Sequence, residues 1–149
     1  MNVLVVGGSG FIGTNLSEEL LDRGHDVTVL SRAPESEPLP AGVDTVRGDV
    51  TAYDSIEGAF EGQDAVVYLV ALSPLFKPTG GNEKHFEIHT EGARNVVRAA
   101  EEHGVDRLVH MSALGADPDG PTAYIRSKGQ AEDVVTASGL DWVMFRPSV

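Results

Sequence analysis

The chain has 149 residues, a length that suits a single domain with its own hydrophobic core. It carries 23 acidic against 11 basic residues and a formal net charge of -12, which argues against a broad nucleic-acid-binding surface. Cysteine is absent, which excludes disulfides, thiolate catalysis and Cys-based zinc sites. No apolar run approaches the roughly 20 residues of a membrane span, and no signal peptide is recognisable, so we expect a cytoplasmic protein without a transmembrane segment.

The basic residues are unevenly divided between the two types. Lys77, Lys84 and Lys128 are the only lysines, and the other eight basic residues are arginines. An acidic excess with scarce lysine resembles the composition of proteins from salt-loving organisms. An ordinary acidic cytosolic protein is the alternative, and composition does not separate the two.

A glycine-rich turn near the N-terminus organises the chain. Residues 3–6 are apolar and mostly β-branched, as in a strand buried on both faces, and helical spacing of apolar residues begins at Phe11. Glycines let a main chain adopt positive φ and approach a ligand, and the N-terminus of a helix can hold a pyrophosphate. The turn therefore predicts a dinucleotide-binding site, with a turn that binds nothing as the alternative. Its candidate cofactor-binding residues are Gly7, Gly8, Ser9, Gly10, Phe11, Ile12 and Gly13.

Strands and helices alternate along the whole sequence. Strands are predicted over residues 3–6, 26–30, 43–47, 65–72, 107–111 and 141–145, and helices over residues 11–23, 54–60, 83–103 and 124–137. The first helix should bury Ile12, Leu16, Leu20 and Leu21, and Asp54 should cap the second. This alternation predicts one α/β domain. We expect a doubly wound parallel Rossmann sheet of six strands, in the order 3-2-1-4-5-6, with helices on both faces.

Ligands of such sheets bind beyond the carboxyl ends of the strands, so the residues that follow strands are candidates for binding. Ser31 and Arg32 stand where NAD-preferring sites usually have a carboxylate, which favours the 2′-phosphate of NADP(H) while NAD(H) stays possible. A solvated surface arginine is the alternative. Asp49 could accept a hydrogen bond from the adenine amino group, with Val50 against the ring, or it could simply cap a turn. Ala71 is small enough to let a ribose approach.

Two pairs of residues lie four apart on predicted helices. His85 and His89 have a spacing that can present two metal ligands, but no third ligand is near, so we predict no metal site. Tyr124 and Lys128 share one face of their helix. A lysine ammonium beside a phenol lowers the tyrosine pKa from its reference of about 10, which makes the tyrosine a better acid or base for catalysis.

Four stretches carry a family resemblance: residues 7–13, 30–32 and 139–149, and the Tyr124-x-x-x-Lys128 pair. Together they resemble the extended or atypical branch of the short-chain dehydrogenase/reductase superfamily, over nearly the whole chain. Residues 111–117 narrow the resemblance to a group with a nucleotide-binding accessory subunit of respiratory NADH:ubiquinone oxidoreductase and with epimerase-like proteins. The resemblance implies hydride transfer between nicotinamide and a carbon bearing oxygen, with Tyr124 as acid/base and Lys128 holding the ribose.

The chain departs from the family pattern at three points. Catalytically complete relatives have a Ser-Ser pair after the fifth strand, but this chain reads Ser112-Ala113, so Ser112 could serve only if the loop shifts. The helical asparagine of the relatives aligns with His89. The chain also stops at Val149, whereas relatives continue into a substrate-binding region.

Two functions remain open at this point. The first is an NADP(H)-preferring oxidoreductase or epimerase/dehydratase-like protein with an incomplete catalytic set. The second is a non-catalytic cofactor-binding protein, such as a redox sensor or an accessory subunit. Tyr124 and Lys128 favour the enzyme, whereas Ala113 and the missing C-terminal region favour the alternative. The expected partners are a nicotinamide dinucleotide and an unnamed small substrate, with a homo-oligomer or a respiratory-complex-like assembly as further options.

Overall fold

The computed structural model describes residues 1–8, 10–75 and 77–148 of the chain. Its strands are β1 (Asn2–Val6), β2 (Asp26–Ser31), β3 (Asp44–Arg47), β4 (Ala65–Tyr68), β5 (Arg107–Met111) and β6 (Asp141–Phe145). Within the described residues these six strands form one parallel sheet in the order β3-β2-β1-β4-β5-β6, which confirms the predicted topology. The strand order reverses beside β1, which pairs with β2 on one side and with β4 on the other.

The connections between strands are mostly helical. The helices are α1 (Phe11–Asp22), α2 (Tyr53–Ile56), α3 (Glu83–His85), α4 (Gly92–Glu102) and α5 (Ala123–Thr136). A 3-10 turn, Glu57–Phe60, continues α2, and a π-helical segment, Phe86–Glu91, joins α3 to α4. The predicted helix over residues 83–103 is therefore interrupted by one wide segment. In the described part of the chain, none of these helices has the length and apolar character needed to cross a membrane.

The core lies on both faces of the sheet, as predicted. The larger cluster joins the sheet to α2, α4 and α5 and includes Leu4, Val66, Ile56, Val96 and Val135. The smaller cluster lies under α1. Its members are Val3, Val5, Val27, Val29 and Val67, with Leu16, Leu20 and Leu21 of α1 packed against them. The prediction that Ile12 faces the core is wrong, since Ile12 is 49% exposed on the first turn of α1.

The fourth strand is shorter than predicted, since it ends at Tyr68 rather than at Leu72. Its neighbour β1 ends at Val6, and the chain turns away at Gly7, so the pairing of β4 with β1 ends there. The Leu72 N–H instead donates to Nε2 of His89 at 2.9 Å. The apolar residues that follow Tyr68 thus leave the sheet and become available to line a cavity.

The start of α2 also differs from the prediction. Asp54 lies in the first turn, and the N-cap position belongs to Ala52, which makes no side-chain capping bond. Ser55 fastens the preceding loop instead, because its hydroxyl accepts a hydrogen bond from the Asp49 N–H at 2.9 Å. The Asp54 carboxylate at this position still favours the helix N-terminus electrostatically.

Candidate cofactor-binding and catalytic site

A cavity of about 390 Å³ opens at the carboxyl ends of β1 to β4. Its volume lies in the usual range of small-molecule sites. The structure brings together here seven of the residues predicted from sequence to bind a cofactor: Gly7, Gly10, Ser31, Arg32, Asp49, Val50 and Ala71. Five further candidates lie outside its lining, namely Gly8, Phe11, Ile12, Gly13 and Lys128. Ser9 falls outside the described residues.

The glycines of the turn have different physical roles. Gly7 has φ +84, and a Cβ there would lie 2.7 Å from Cγ2 of Val70, so both conformation and space require glycine. A Cβ on Gly13 would lie 2.4 Å from the Cα of Gly8, so this glycine lets α1 pack closely on the turn. A Cβ on Gly10 would meet nothing within 4 Å. Gly10 therefore leaves open space at the N-terminus of α1, which fits a ligand that approaches the main chain.

The helix end beside that space is suited to an anion. Gly10 is the N-cap residue of α1, and its backbone is extended, with no side-chain capping bond. The first N–H groups of a helix have no partner within the helix, and the helix dipole adds positive charge there. Phe11 is 86% exposed, so its side chain faces solvent and only its main chain is placed to contact a ligand. These features fit the pyrophosphate of a dinucleotide.

Two cations face one carboxylate at the far side of the cavity. Arg32, Lys84 and Asp49 all line the cavity. Burial acts to raise the pKa of Asp49, but hydrogen bonds from Thr51 and the charges of Arg32 and Lys84 outweigh it, so the pKa is lowered. Asp49 Oδ1 accepts bonds from the Thr51 N–H at 2.9 Å and from the Thr51 hydroxyl at 2.7 Å. Asp49 thus does fasten a turn, and its contact with adenine stays a prediction.

A second carboxylate, which the sequence did not indicate, lies beside the second strand. Glu37 lines the cavity, and its Oε2 accepts a hydrogen bond from the Ser31 hydroxyl at 3.0 Å. The chain reaches this point through a 3-10 turn, Pro34–Ser36, that folds back towards β2. The Ser31 hydroxyl is therefore already hydrogen-bonded to Glu37. This part of the cavity presents both a cation, Arg32, and a carboxylate, Glu37, to a ligand.

Tyr124 packs against two histidines rather than beside a lysine. Its ring meets the rings of His85 and His89 edge-on, at centroid distances of 5.8 and 5.4 Å. The two histidine rings stack on each other at 5.5 Å. Burial raises the pKa of the Tyr124 phenol, so the predicted lowering by Lys128 is not found. Within the described ranges, no group of three or more His, Cys, Asp or Glu side chains could hold a metal ion.

The amine of Lys128 is almost completely buried and is engaged elsewhere. Lys128 is 2% exposed, and its Nζ donates to the Met111 carbonyl at 3.0 Å. Burial lowers the pKa of Lys128 to about 8, although the charge of Glu132 acts in the opposite direction. Lys128 does not line the cavity at the carboxyl ends of β1 to β4. It does not line the separate cavity that Tyr124 lines either. Its predicted contact with a ribose therefore stays a prediction.

Both ring nitrogens of His89 are bonded. Nε2 accepts the Leu72 N–H, so in the neutral ring the proton lies on Nδ1, which lies 2.9 Å from the Ser127 hydroxyl and donates to it. Ser127 in turn donates to the Tyr124 carbonyl at 2.9 Å. Burial lowers the pKa of His89 to about 3, assisted by the charge of Lys128. The imidazole is therefore neutral, and it links the loop that follows β4 to α5.

Ser112 is held by a buried carboxylate. Its hydroxyl donates to Glu132 Oε2 at 2.5 Å, and Arg146 binds both oxygens of the same carboxylate, at 2.9 and 2.6 Å. Ser112 is 3% exposed, and Ala113 beside it is buried to the same degree. Among the described residues, no hydrogen bond joins Ser112 to Tyr124 or Lys128. The structure thus does not bring Ser112 to the phenol, and its catalytic role stays a prediction.

Sequence reasoning missed three participants in this region. Glu37 and Lys84 line the cavity although they lie outside the residues that directly follow strands. Ser127 supports His89 and Tyr124 from inside α5. Only Lys84 left a usable signal, as one of three lysines in an acidic chain, because the other two contacts depend on how a loop and two helices pack.

Comparison with known proteins agrees with this geometry. A family model described as NAD(P)H-binding matches residues 7–149. A 3-beta-hydroxysteroid dehydrogenase of Mycolicibacterium neoaurum is 36% identical over 115 residues, which cover 74% of this chain and 31% of that protein. A 2-alkyl-3-oxoalkanoate reductase of Stenotrophomonas maltophilia is 32% identical over 168 residues, which cover 99% of this chain and 50% of that protein.

A solved structure is similar over nearly the full chain. The Thermus thermophilus UDP-glucose 4-epimerase in complex with NAD is 30% identical, with a TM-score of 0.80, and the match covers 98% of this chain and 54% of that one. The chain spans between 31% and 50% of the curated relatives named above. A match to the family model over residues 7–149, together with the confirmed topology, establishes the family. This chain belongs to the NAD(P)H-binding family, in the group of extended short-chain dehydrogenases/reductases and NAD-dependent epimerases/dehydratases.

Proposed function

We propose that this protein is an NADP(H)-preferring oxidoreductase of the extended short-chain type, or an epimerase/dehydratase-like relative, with a reduced catalytic set. The observation that carries the proposal is one cavity lined by Gly7, Gly10, Arg32 and Asp49 at the switch in strand order. When bound there, the nicotinamide cofactor would supply or accept a hydride at a carbon bearing oxygen. The protein's own residues would bind the cofactor and move the accompanying proton.

The cofactor preference rests on charge. Arg32 and Lys84 line the cavity beside Asp49, and two cations suit the doubly charged 2′-phosphate of NADP(H). Glu37 opposes them, because its carboxylate repels a phosphate and accepts hydrogen bonds from a free ribose hydroxyl. We therefore propose that NADP(H) is preferred and that NAD(H) is also accepted. The NAD in the similar Thermus thermophilus epimerase structure is compatible with the second part.

Tyr124 is the proposed acid/base for the reaction. Its pKa is raised by burial, so the phenol is protonated at neutral pH and can donate a proton to a carbonyl oxygen during reduction. His89 positions this tyrosine through Ser127. Lys128, whose pKa is about 8, would bind the ribose if its amine left the Met111 carbonyl. The names of two relatives, a steroid dehydrogenase and an oxoalkanoate reductase, support a substrate that bears a carbonyl or hydroxyl group.

A second candidate function is a non-catalytic cofactor-binding protein, such as a redox sensor or an accessory subunit. The observation that favours it is that residues 112 and 113 offer no free hydroxyl to a substrate. Ala113 has no hydroxyl, and Ser112 is bonded to Glu132. Holding a substrate in position can supply several kcal/mol of barrier reduction, up to roughly 7–11 in ideal geometry. A site that lacks the group that orients the substrate oxygen is expected to react slowly.

The test is NADPH oxidation measured against a panel of aldehydes, ketones, quinones and nucleotide sugars. We expect turnover slower than about 1 per second, the lower end of the common range, and its loss in Tyr124→Phe. Tyr53→Phe, on α2, is the matched control and should keep the rate. Faster turnover that collapses only in the Tyr124 variant would indicate a complete catalytic set. No turnover with any substrate would favour the non-catalytic protein, and turnover that does not depend on Tyr124 would show that Tyr124 is not the acid/base.

A further inference from the structure

A second cavity opens at the beginning of α5 and is separate from the dinucleotide cavity. Its volume is also about 390 Å³, and it lies between the loop that follows β4 and the first turn of α5. Tyr124 lines this second cavity, whereas it does not line the first. A molecule in the second cavity would thus contact the phenol that we propose as the acid/base.

The two charged side chains that line the second cavity, Lys77 and Arg126, are both cations. Lys77, His85 and Arg126 line it, and none of its described lining residues is acidic, in a chain with 23 acidic and 11 basic residues. Among the described residues, six of the eight arginines form salt bridges, but Arg126 and Lys77 form none. Arg126 uses one nitrogen to donate to the Gly120 carbonyl at 3.1 Å. Its remaining N–H groups stay available for an anion.

His85 supplies an independent indication of a ligand. It is 5% exposed and lines the cavity, yet its Nδ1 has no hydrogen-bond partner among the described residues. A buried polar atom without a partner destabilises a fold and calls for a ligand or a water molecule. Burial also lowers the pKa of His85, so the ring is neutral at neutral pH and suits an uncharged oxygen such as a carbonyl or hydroxyl.

Part of the wall is apolar, and Asn82 and Thr122 add neutral polar groups. Pro74 and Leu75 line the cavity from the loop, and Pro121 lines it from the turn before α5. Leu75 is 73% exposed, so its side chain is accessible to a molecule in the cavity. Cations on one part of the wall and apolar side chains on another fit a molecule with an anionic end and an aliphatic body.

We propose that the second cavity binds an aliphatic oxo or hydroxy carboxylate as the substrate of the protein. Lys77 and Arg126 bind the carboxylate, the alkyl chain lies along Pro74 and Leu75, and the reacting oxygen is presented to Tyr124. The inference rests on the proposed function for the role of Tyr124, while the carboxylate preference stands on the charges alone. Hydrogen bonds to charged groups commonly correspond to tenfold or more in affinity.

The experiment compares 2-oxooctanoate with its methyl ester, which has the same ketone and chain but no charge. Binding is measured by calorimetry and by ligand-observed NMR, with and without NADP⁺, because the oxidised cofactor cannot reduce a ketone and no turnover interferes. We expect the acid to bind about tenfold more tightly than the ester. Dihydroxyacetone phosphate serves as a phosphate probe, and tighter binding of this probe than of 2-oxooctanoate would overturn the carboxylate assignment.

Variants locate the anion site. Lys77→Met and Arg126→Gln should each reduce the preference for the acid at least threefold, and Arg126→Lys should restore part of it. Arg23→Gln removes a charge from the exposed end of α1, where Arg23 pairs with Glu19, and is the matched control for net charge. A preference that survives both substitutions, or one that Arg23→Gln removes equally, would overturn the proposal.

The two proposals fail in different ways. If NADP⁺ binds but the acid and the ester bind equally, or neither binds at millimolar concentration, the carboxylate site is wrong and the cofactor proposal stands. If NADP⁺ does not bind but the acid is still preferred through Lys77 and Arg126, the carboxylate site stands and the proposed function is wrong.

Discussion

The His89 imidazole lies 2.9 Å from the Ser127 hydroxyl, and this bond joins the π-helical segment to the helix that carries Tyr124. The other ring nitrogen accepts the Leu72 N–H, so one side chain satisfies polar groups on two elements. His89 is 1% exposed, so bulk solvent does not compete for these bonds. The packing of α5 in this region therefore depends on an imidazole that accepts at Nε2 and donates at Nδ1.

Replacement of His89 tests this dependence. His89→Ala leaves a cavity and two polar groups without partners, which should lower the free energy of unfolding by about 3 kcal/mol. His89→Asn, the residue that the family resemblance implies at this position, should recover part of the loss and keep Tyr124-dependent turnover. Urea unfolding measures the first effect, and His25→Asn is the control. Equal stability of wild type and His89→Ala would show that these bonds contribute nothing.

Gly10→Val tests where the pyrophosphate binds. A Cβ there meets nothing within 4 Å, and the φ of -81 suits any residue, so the fold should persist. The added side chain would fill the space beside the N-terminus of α1 and abolish dinucleotide binding. Gly139→Val is a matched control, because its Cβ is equally unobstructed. Unchanged affinity in calorimetry would place the pyrophosphate elsewhere.

Arg32 and Glu37 should shift the cofactor preference in opposite directions. Arg32→Ala should reduce the preference for NADP(H) over NAD(H) by roughly ten- to a hundredfold, less where solvent screens the charge. Glu37→Gln should increase that preference, because it removes a carboxylate that repels the 2′-phosphate. The measurement is the ratio of the two dissociation constants. If Arg32→Ala weakens both nucleotides equally, Arg32 is only a surface charge.

Two buried histidines predict loss of stability in acid. Burial lowers the pKa values of His89 and His110 to about 3, and the charge of Lys128 adds to both effects. In the unfolded chain the pKa of histidine is about 6.5. Below that pH the unfolded chain binds protons that the folded chain does not, so the free energy of unfolding decreases as the pH is lowered. The loss at pH 5 should be about 2 kcal/mol for each histidine.

The His110 share can be isolated. Neither of its ring nitrogens has a partner among the described residues, and the ring stacks on Tyr68 at 5.4 Å. His110→Phe should therefore keep the stacking and remove about half of the stability loss between pH 7 and pH 5, as measured by urea unfolding at each pH. An unchanged pH dependence would mean that His110 gains a proton in the folded protein.

Salt should stabilise the protein. The charge of -12 on a small domain is self-repulsive, and ions screen such repulsion over about 10 Å at 0.1 M. The melting temperature should rise between low and molar potassium chloride. A flat or falling curve would count against adaptation to high salt.

Sequence patterns predicted the elements well where the cause is local or periodic. The apolar run before Gly7 predicted β1 correctly, and the glycine-rich turn predicted where α1 begins. The π-helical segment at Phe86–Glu91 left no such pattern, because it accompanies bonds that His89 makes to distant elements. The end of β4 at Tyr68 likewise depends on where its neighbour ends.

The candidate site was predictable to the extent that it follows strands. Arg32, Asp49 and Ala71 meet in one cavity because the carboxyl ends of parallel strands share an edge. The hydrogen-bond partners of individual side chains were not predictable in the same way. Whether Lys128 faces Tyr124 or the Met111 carbonyl depends on the burial of its amine, and no spacing in the sequence reports that.

The close approach of Gly7 to Val70 has a consequence for the order of folding. Val70, which follows β4, packs against Gly7 of the glycine-rich turn. The strand β1 completes its pairing only when β4 adds to its free side. Val70 must therefore be in place before the turn reaches its final shape, and contacts so distant in sequence form slowly. A nucleotide that binds only the finished turn would stabilise the assembled half of the sheet by mass action, and it would protect β1, β2 and β4 together against proteolysis and hydrogen exchange.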